Sequence, residues 1–161
     1  VGIKHGFAMI THGHPHNEAI IEYGAVGSGI QEKQINCSFL GGKPYTEMAS
    51  LLSSCDMCIN PIVKGSAASI INKVGDYALS GLPVINTQES TEYRALIEEY
   101  QCGINCECGN AEQVAQAIKK LAADKELRKQ MGENSHRLAM EKFDRRNTYF
   151  RVPVHPIVPR P

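Results

Sequence analysis

The chain has 161 residues, of which 42% are hydrophobic, and its 17 basic residues balance its 17 acidic residues. This length suits about one domain with a single sizeable core, and the zero net charge argues against nucleic acids or anionic membrane surfaces as partners. No apolar run approaches the roughly 20 residues of a membrane span, and no leader segment opens the chain, so we expect a soluble, cytoplasmic protein.

Both ends of the sequence indicate a piece of a longer protein. The first residue is Val1 rather than Met, and an apolar segment follows almost at once. The last segment, residues 151–161, carries four prolines and cannot form a helix or a central strand. We therefore expect one domain over residues 1–149 and an extended or non-native tail over residues 150–161.

A first strand is predicted over Phe7–Ile10, and it leads into the histidine-rich turn THGHPHN. Two interpretations compete for His12, His14 and His16. They look like part of the Thr-His-x-His-x-Asp-His pattern with which the metallo-β-lactamase superfamily holds zinc, although the Asp is absent. The simpler interpretation, that they are loop histidines exposed to solvent, is favoured because no later histidine has a comparable setting.

A short helix over residues 17–23 and a strand over residues 35–39 follow. Pro44 then suits the first turn of another helix. The apolar residues of this helix have the spacing of a core face, and they are Tyr45, Met48, Leu51 and Leu52.

Cysteines occur at six positions: Cys37, Cys55, Cys58, Cys102, Cys106 and Cys108. The spacing of Cys55 and Cys58 is that of half a zinc site, but the sequence lacks a second pair with this spacing. We favour buried thiols in two strands, one over CDMCINP and one through Cys106 and Cys108. Six unpaired thiols are typical of a reducing compartment.

The stretch from Asn60 to Asn86 is predicted to form a loop, a helix over about residues 69–80 that stops at Gly81, and a strand over residues 82–86. Lys73 and Asp76 are three residues apart on the polar side of this helix and can pair. They follow KGSAAS, a run of small residues whose amides can open toward a ligand. A glycine inside this helix, at position 75, costs about 1 kcal/mol relative to alanine and indicates a close packing partner.

The rest of the chain is predicted to be mainly helical. A helix over residues 88–100 carries Glu92 near its N-terminus, where the helix dipole alone favours an acidic residue. Asn110 is expected to cap the next helix, with Gln113 in its first turn as in a capping box. Asp124 starts a helix that is expected to end at Gly132, and a last helix runs to residue 143.

Strands that alternate with helices of about ten residues predict parallel strands joined by right-handed crossovers. The expected fold is therefore α/β, a Rossmann-like, doubly wound parallel sheet with helices on both faces. Ligands of such sheets bind beyond the carboxyl ends of the strands, which here means the loops after Ile59 and Asn86.

The segment NKVGDYALSGLPVIN resembles the retaining glycosyltransferases of family 4, whose second domain carries a Lys, an acidic residue, a Gly and Pro-Val-Ile in this order. The resemblance covers residues 39–149 well and residues 1–38 loosely. It extends to the segments FLGGKPYTEM, ESTEYRALIEEYQCGI and LAADKELRKQMGENSHRLAMEKFDRRNTY. It implies the nucleotide-sugar-binding, C-terminal half of a two-domain GT-B enzyme, whose N-terminal acceptor domain is missing.

The resemblance also implies site residues. Asp76 takes the place of the Glu that holds the ribose of the donor, and Ala68 stands where the first Glu of the family's pair would fall. Gly13 lies in the turn after the first strand, the stretch from Gly41 to Tyr45 lines the nucleobase pocket, and Glu92 is the acidic residue before a helix. The donor diphosphate is expected to meet backbone amides and a cation at Lys64, Gly65, Ser66, Ala67, Ser69 and Lys73.

The implied activity is transfer of a sugar, with retention, from a UDP- or GDP-type donor to a saccharide or lipid-linked acceptor, as in polysaccharide biosynthesis. The resemblance implies no metal and no cofactor. We expect the isolated chain to be inactive in turnover, and only the full protein to associate peripherally with a membrane. Three alternatives stay open: a non-enzymatic Rossmann-like binding module, a sugar-nucleotide epimerase and a zinc hydrolase.

Overall fold

The structure is a computed structural model, and it describes residues 7–8, 44–62, 64–65, 70 and 73–144. The predicted helix over residues 17–23, the strand over residues 35–39 and the proline-rich tail lie outside these ranges. The strands are β1 (Phe7–Ala8), β2 (Met57–Asn60), β3 (Val84–Asn86) and β4 (Gly103–Asn105). The helices are α1 (Tyr45–Ser53), α2 (Lys73–Leu79), α3 (Thr91–Tyr100), α4 (Ala111–Ala123) and α5 (Lys125–Leu138), followed by a π-helical segment (Ala139–Phe143).

The four strands in the described residues are parallel and form one sheet in the order β1, β2, β3, β4. Cys58 lies opposite Val84, and Val84 lies opposite Gly103. Parallel neighbours cannot be joined by a tight turn, so each connection crosses over the sheet, with α2 between β2 and β3 and α3 between β3 and β4.

The central strands β2 and β3 bury both of their faces. The first core cluster lies under α1, α2 and α3 and contains Leu52, Cys58, Val74, Tyr77, Val84, Tyr93, Ile97, Tyr100, Cys102 and Leu138. The second lies under α4 and contains Met57, Ile59, Ile85, Cys106, Val114, Ala117 and Leu121. Neighbouring residues of β2 and β3 therefore alternate between the clusters, as the pleat of a strand requires. The predicted doubly wound sheet with helices on both faces is confirmed.

Helix α5 passes from one face of the sheet to the other, because Leu127 and Met131 pack on the second cluster and Leu138 belongs to the first. The predicted stop at Gly132 is wrong, since α5 is continuous through it. A Cβ atom at Gly132 would lie 2.2 Å from the carbonyl oxygen of Gly81. Glycine is needed there for close backbone approach rather than for helix termination.

Helix α2 is shorter than predicted, because it begins at Lys73 rather than near residue 69. Ile70 lies outside the helix and packs against the first cluster from the loop, so its burial does not require helical structure. Lys73 is the first described residue of the helix, and Asp76 lies in the first turn of its described part. Among the described residues, an added Cβ at Gly75 would meet only Phe143 Cβ, at 3.9 Å, so this part of the chain does not supply the close packing partner expected there.

The stop after α2 is as predicted: Gly81 has a φ of +67° and donates to the Ala78 carbonyl at 3.1 Å. β3 starts at Val84 rather than at residue 82, since Pro83 has no N–H to donate to a neighbouring strand. The predicted strand through Cys106 and Cys108 is wrong. β4 ends at Asn105, and the chain then turns through Gly109, which has a φ of +80°.

The helices of the second half have the caps that their sequences predict, except that one side chain bonds a different backbone group. Asn110 Oδ1 accepts from the Gln113 N–H at 3.0 Å and caps α4. The Gln113 side chain accepts from the Glu107 N–H at 2.7 Å rather than from the cap residue, so the capping box is not closed. α3 begins at Thr91 instead of at residue 88, because Ser90 caps it by accepting from the Tyr93 N–H.

The face of α1 that we expected in the core is only partly buried. Leu52 is 3% exposed, whereas Tyr45 is 63% and Leu51 39% exposed. The spacing of these residues is typical of a core helix, but in the described residues only one side of α1 is covered. Tyr45 is therefore free to contribute to a surface site.

Candidate functional site

Polar residues are buried almost entirely at one end of the sheet. Of the six buried polar residues in the described ranges, five lie at the carboxyl ends of β2 and β3 or in the loop after β3, namely Asn60, Asn86, Thr87, Gln88 and Ser90. Burial of a polar group is costly unless it is hydrogen-bonded, so such a concentration marks a specialised region. This is also the edge at which doubly wound sheets bind their ligands.

Each of β2, β3 and β4 ends in Ile-Asn, and the three asparagines lie in register. Asn60 Nδ2 donates to Asn86 Oδ1 at 2.9 Å, and Asn86 Nδ2 donates to Asn105 Oδ1 at 3.0 Å. Asn105 Nδ2 in turn donates to the Arg94 carbonyl and to Glu98 Oε1, both at 3.1 Å. We call Asn60, Asn86 and Asn105 the amide ladder. In-register side chains on parallel strands are about 4.8 Å apart, close enough for such amides to bridge.

Gln88 closes the amide ladder from the loop after β3. Its Oε1 accepts from Asn60 Nδ2 at 3.2 Å, its N–H donates to Asn86 Oδ1 at 3.1 Å, and its carbonyl accepts from Asn86 Nδ2 at 3.2 Å. Throughout the described part of the chain, no buried side-chain nitrogen or oxygen lacks a hydrogen-bond partner. The polar edge is therefore fully satisfied, which favours one fixed arrangement.

Thr87 joins the loop after β3 to the loop after β2. Its Oγ1 accepts from the Ile62 N–H at 2.9 Å and lies 3.0 Å from the Ile62 carbonyl oxygen, to which it can donate. Its own N–H donates to the Asn60 carbonyl at 3.1 Å. Cys108 Sγ adds a weak bond to the Ile62 carbonyl at 3.3 Å. The backbone at Ile62 is thus held from two loops.

The loop after β2 carries two of the residues predicted to meet a diphosphate. Lys64 and Gly65 form an exposed turn. Gly65 has a φ of +76°, in the left-handed region that favours glycine, and a Cβ there would meet no described residue within 4 Å. Conformation rather than space therefore requires glycine at this position.

A groove lies between α1 and α2. Both helices run back toward the amino ends of the strands that follow them, so their N-terminal turns lie at the carboxyl edge. The groove encloses about 160 Å³ and is lined by Tyr45, Met48, Ala49, Leu52, Ser53, Asp76, Leu79 and Ser80. It combines an apolar floor with a carboxylate and hydroxyl groups at its rim.

Two predicted site residues meet at the rim of this groove. Tyr45 Oη donates to Asp76 Oδ1 at 3.2 Å, although 31 residues separate the two in sequence. The charge of Asp76 is the main reason why the pKa of Tyr45 is raised. Asp76 and Lys73 do not form the ion pair that their spacing allows. Lys73 is half-buried, and this burial lowers its pKa.

The structure places the remaining predicted residues as follows. Glu92 is exposed in the first turn of α3, at the same edge of the sheet. The predicted residues Gly13, Gly41, Ser66, Ala67 and Ser69 lie outside the described ranges, as do Ala68, Cys37 and the cluster His12, His14 and His16.

Sequence reasoning missed the amide ladder, Thr87 and Gln88. A partial signal was available for the ladder, because the pair Ile-Asn occurs at positions 59–60, 85–86 and 104–105, although it also occurs at positions 35–36 and 71–72. Thr87 and Gln88 carry no comparable signal, since one polar residue after a strand is common.

Within the described residues, no three His, Cys, Asp or Glu side chains lie close enough together to hold a metal ion. The cysteines there are free thiols. Burial raises the pKa of Cys58 to about 12 and that of Cys102 to about 11, as expected for core residues. None of the helices in the described ranges combines the length and the apolar character needed to cross a membrane.

The family model described as "Glycosyl transferases group 1" matches residues 29–138 of the chain. This range contains every described helix and strand except β1 and the π-helical segment. No curated protein matches the chain, and no solved structure matches it.

Proposed function

We propose that this chain, which belongs to the glycosyl transferases group 1 family, binds the nucleotide-sugar donor of a retaining, family 4-like glycosyltransferase. Membership of the family makes the chain part of a sugar-transferring enzyme with a Rossmann-like α/β domain. The nature of the donor, the stereochemical outcome and the acceptor are the parts of this function that we propose.

The observation that carries the proposal is the contact between Tyr45 and Asp76 at the rim of the groove. The exposed ring of Tyr45 offers a face on which a nucleobase can stack. The Asp76 carboxylate, oriented by the Tyr45 hydroxyl, can accept hydrogen bonds from both ribose hydroxyls. A base and a ribose can thus be recognised by the first turns of two neighbouring helices.

The diphosphate of the donor would lie toward Lys64 and Lys73. Lys64 is exposed on the turn after β2, and Lys73 is the first residue of α2, so both belong to the carboxyl edge. As the bond to the sugar breaks, negative charge grows on the leaving diphosphate, and fixed cations and amides stabilise it. We include Gly65, Ser66, Ala67 and Ser69 in this site, and Gly13, Gly41 and Glu92 at its margins.

The proposed enzyme transfers the sugar from a UDP- or GDP-type donor to a saccharide or lipid-linked acceptor that another domain binds. The residues described here supply contacts to the base, the ribose and the diphosphate. We therefore expect this chain by itself to bind the nucleotide and not to turn over.

The test is ligand-detected NMR of the chain with UDP, GDP and ADP, repeated on Asp76→Ala. Loss of a charged hydrogen-bond acceptor should weaken binding of the preferred nucleotide about tenfold or more. Glu126→Ala is the control, because Glu126, like Asp76, is an acid in the first turn of a helix, although Glu126 is exposed and Asp76 is half-buried. Glu126 is not among the residues that line the groove, and it lies near Arg128, which pairs with Asp56 at the amino end of β2.

Glu126→Ala should bind like the wild-type chain. Equal binding by the Asp76 and Glu126 variants would remove Asp76 from the donor site. Absence of binding by the wild-type chain to all three nucleotides would instead favour a non-enzymatic binding module.

A further inference from the structure

We propose that Thr87 is a positioning residue for the donor site, because it holds the loop that leaves β2 and so fixes where Lys64 and Gly65 lie. This inference rests on the proposed function, since the placement of Lys64 and Gly65 matters to activity only if a donor diphosphate binds beside them. Thr87 itself does not touch the groove, and its action is transmitted through Ile62.

The contact between Thr87 and Ile62 satisfies the N–H of Ile62 and can also satisfy its carbonyl. The Thr87 side chain is buried, and its hydroxyl accepts from the Ile62 N–H at 2.9 Å. The single hydroxyl proton can be donated to the carbonyl of Ile62 at 3.0 Å or to that of Asn60 at 3.3 Å. Ile62 is half-buried, so water can replace only part of what the hydroxyl supplies, and the hydroxyl favours one path of the loop.

The position of Thr87 is itself fixed by the amide ladder. Its neighbour Asn86 is fully buried and bonded to Asn60 on one side and to Asn105 on the other. The Thr87 N–H is also bonded to the Asn60 carbonyl at 3.1 Å. The hydroxyl therefore projects from a rigid part of the sheet, which gives the ladder a role in placing the loop.

A shift at Ile62 must reach the turn at Lys64 and Gly65. Two residues of chain span at most about 7 Å, which leaves little slack for the turn to stay in place if Ile62 moves. In the described part of the chain, the one other side chain bonded to Ile62 is that of Cys108, through a weak thiol bond at 3.3 Å. We infer that Thr87 is the main determinant of the loop position.

The experiment compares Thr87→Val with Thr87→Ser in the full chain. Valine keeps the shape of threonine and removes the hydroxyl, whereas serine keeps the hydroxyl. The first readout needs no nucleotide: it is the rate at which trypsin cleaves the Lys64–Gly65 bond, identified by fragment masses. The second is the dissociation constant of whichever of UDP, GDP and ADP the wild-type chain prefers.

Loss of one or two hydrogen bonds corresponds to about a five- to twentyfold change in an equilibrium. We therefore expect Thr87→Val to accelerate cleavage after Lys64, and to weaken nucleotide binding, each about fivefold or more. Thr87→Ser should stay within about twofold of the wild-type chain in both measurements, because it keeps the same donor and acceptor.

Asn110→Ala controls for a general loss of stability. It removes the cap of α4, which has no contact with the Thr87 side chain, and lowers stability by a comparable amount. Urea unfolding of each variant measures whether the Asn110 and Thr87 variants lose comparable stability. The Asn110 variant should bind the nucleotide as the wild-type chain does. If Thr87 contributed only to overall stability, the Asn110 variant and Thr87→Val should instead bind with similarly reduced affinity.

The outcomes separate this inference from the proposed function. Nucleotide binding by the wild-type chain that is unchanged in Thr87→Val would overturn the role of Thr87 and leave the donor site intact. An unchanged cleavage rate at Lys64 would overturn it as well, whatever the nucleotide data show. If the wild-type chain binds none of the three nucleotides, the proposed function fails, and the role of Thr87 at a donor site fails with it.

Discussion

At the carboxyl end of the sheet, β2, β3 and β4 finish in a row of hydrogen-bonded asparagines, whereas at the amino end the chain brings two glycine backbones into contact. The amide ladder places polar groups in the interior and satisfies them across strands. Gly81 and Gly132 have no side chains, so the backbone of α5 can pass close to the turn at Gly81. Hydrogen bonds fix directions, while glycine contacts fix only distances, so the ladder suits the end at which the proposed donor would be oriented.

The two ends also differ in what holds them together. An amide hydrogen bond contributes only about 0.5–1.5 kcal/mol net, but loss of one partner in the interior exposes the other to the full cost of desolvation. At the amino end, the two glycine backbones pack so closely that there is no space for an added side-chain atom. We therefore expect substitutions at the amino end to destabilise the protein by overpacking, and those at the carboxyl end by leaving polar groups without partners.

The largest effect should come from Gly132→Ala. An added Cβ would lie 2.2 Å from the Gly81 carbonyl oxygen, and backbone on both sides must move to accept it. We expect the free energy of unfolding to fall by about 3 kcal/mol, measured by urea denaturation followed by circular dichroism.

Gly75→Ala is the control for Gly132→Ala, because it makes the same change in a neighbouring helix. Within the described ranges, an added Cβ at position 75 meets only Phe143 Cβ, at 3.9 Å. Alanine should therefore raise the free energy of unfolding by about 1 kcal/mol, through helix propensity. If the two variants lose similar stability, the contact between Gly81 and Gly132 does not distinguish this end of the sheet.

The second effect in size should come from Asn86→Ala, in the middle of the amide ladder. It leaves the Asn60 amide, the Asn105 oxygen and the Gln88 N–H each one partner short. We expect a loss of about 2 kcal/mol in the free energy of unfolding. Asn105→Ala should cost less, since Asn105 is half-buried and water can replace part of what it supplies. Equal losses at the two positions would show that burial does not determine the strength of the ladder.

The fold was predictable from the sequence because it depends on patterns that are local. Short apolar runs alternate with helices such as α4, where Val114, Ala117 and Leu121 recur at helical spacing and Asn110 supplies the cap. Gly132 shows the limit of this reasoning. A glycine that ends a helix and a glycine that admits a distant backbone look alike in sequence, and only the position of Gly81 distinguishes them.

The candidate site was predictable in part. Resemblance pointed to Tyr45 and Asp76 separately, but their contact across 31 residues depends on how α1 and α2 lie against each other. The amide ladder depends on the register of three strands, which no local pattern fixes. Thr87 acts through the backbone of another loop, and such a contact leaves no trace in the spacing of residues.

The smallest predicted effect concerns two tyrosine–carboxylate pairs, one at each end of the sheet. Tyr45 and Asp76 meet at the carboxyl end at 3.2 Å, where Tyr45 is 63% exposed. Tyr100, the last residue of α3, donates to Glu141 of the π-helical segment at 2.5 Å and is 6% exposed. The hydrogen bond to Glu141 is the main reason why the pKa of Tyr100 is raised from 10.0 to about 12.

The sign of the resulting pH dependence follows from linkage. Because the folded state holds the Tyr100 proton more tightly than the unfolded state, the stability that this pair contributes is complete below pH 10.0 and is lost as the pH rises to about 12. The difference in free energy of unfolding between the wild-type chain and Tyr100→Phe should therefore shrink across this window. Tyr45→Phe should show a smaller change, since solvent screens the exposed pair. A larger change for Tyr45→Phe would mean that the carboxyl end holds its tyrosine more firmly than the amino end does, which would reverse this part of the comparison.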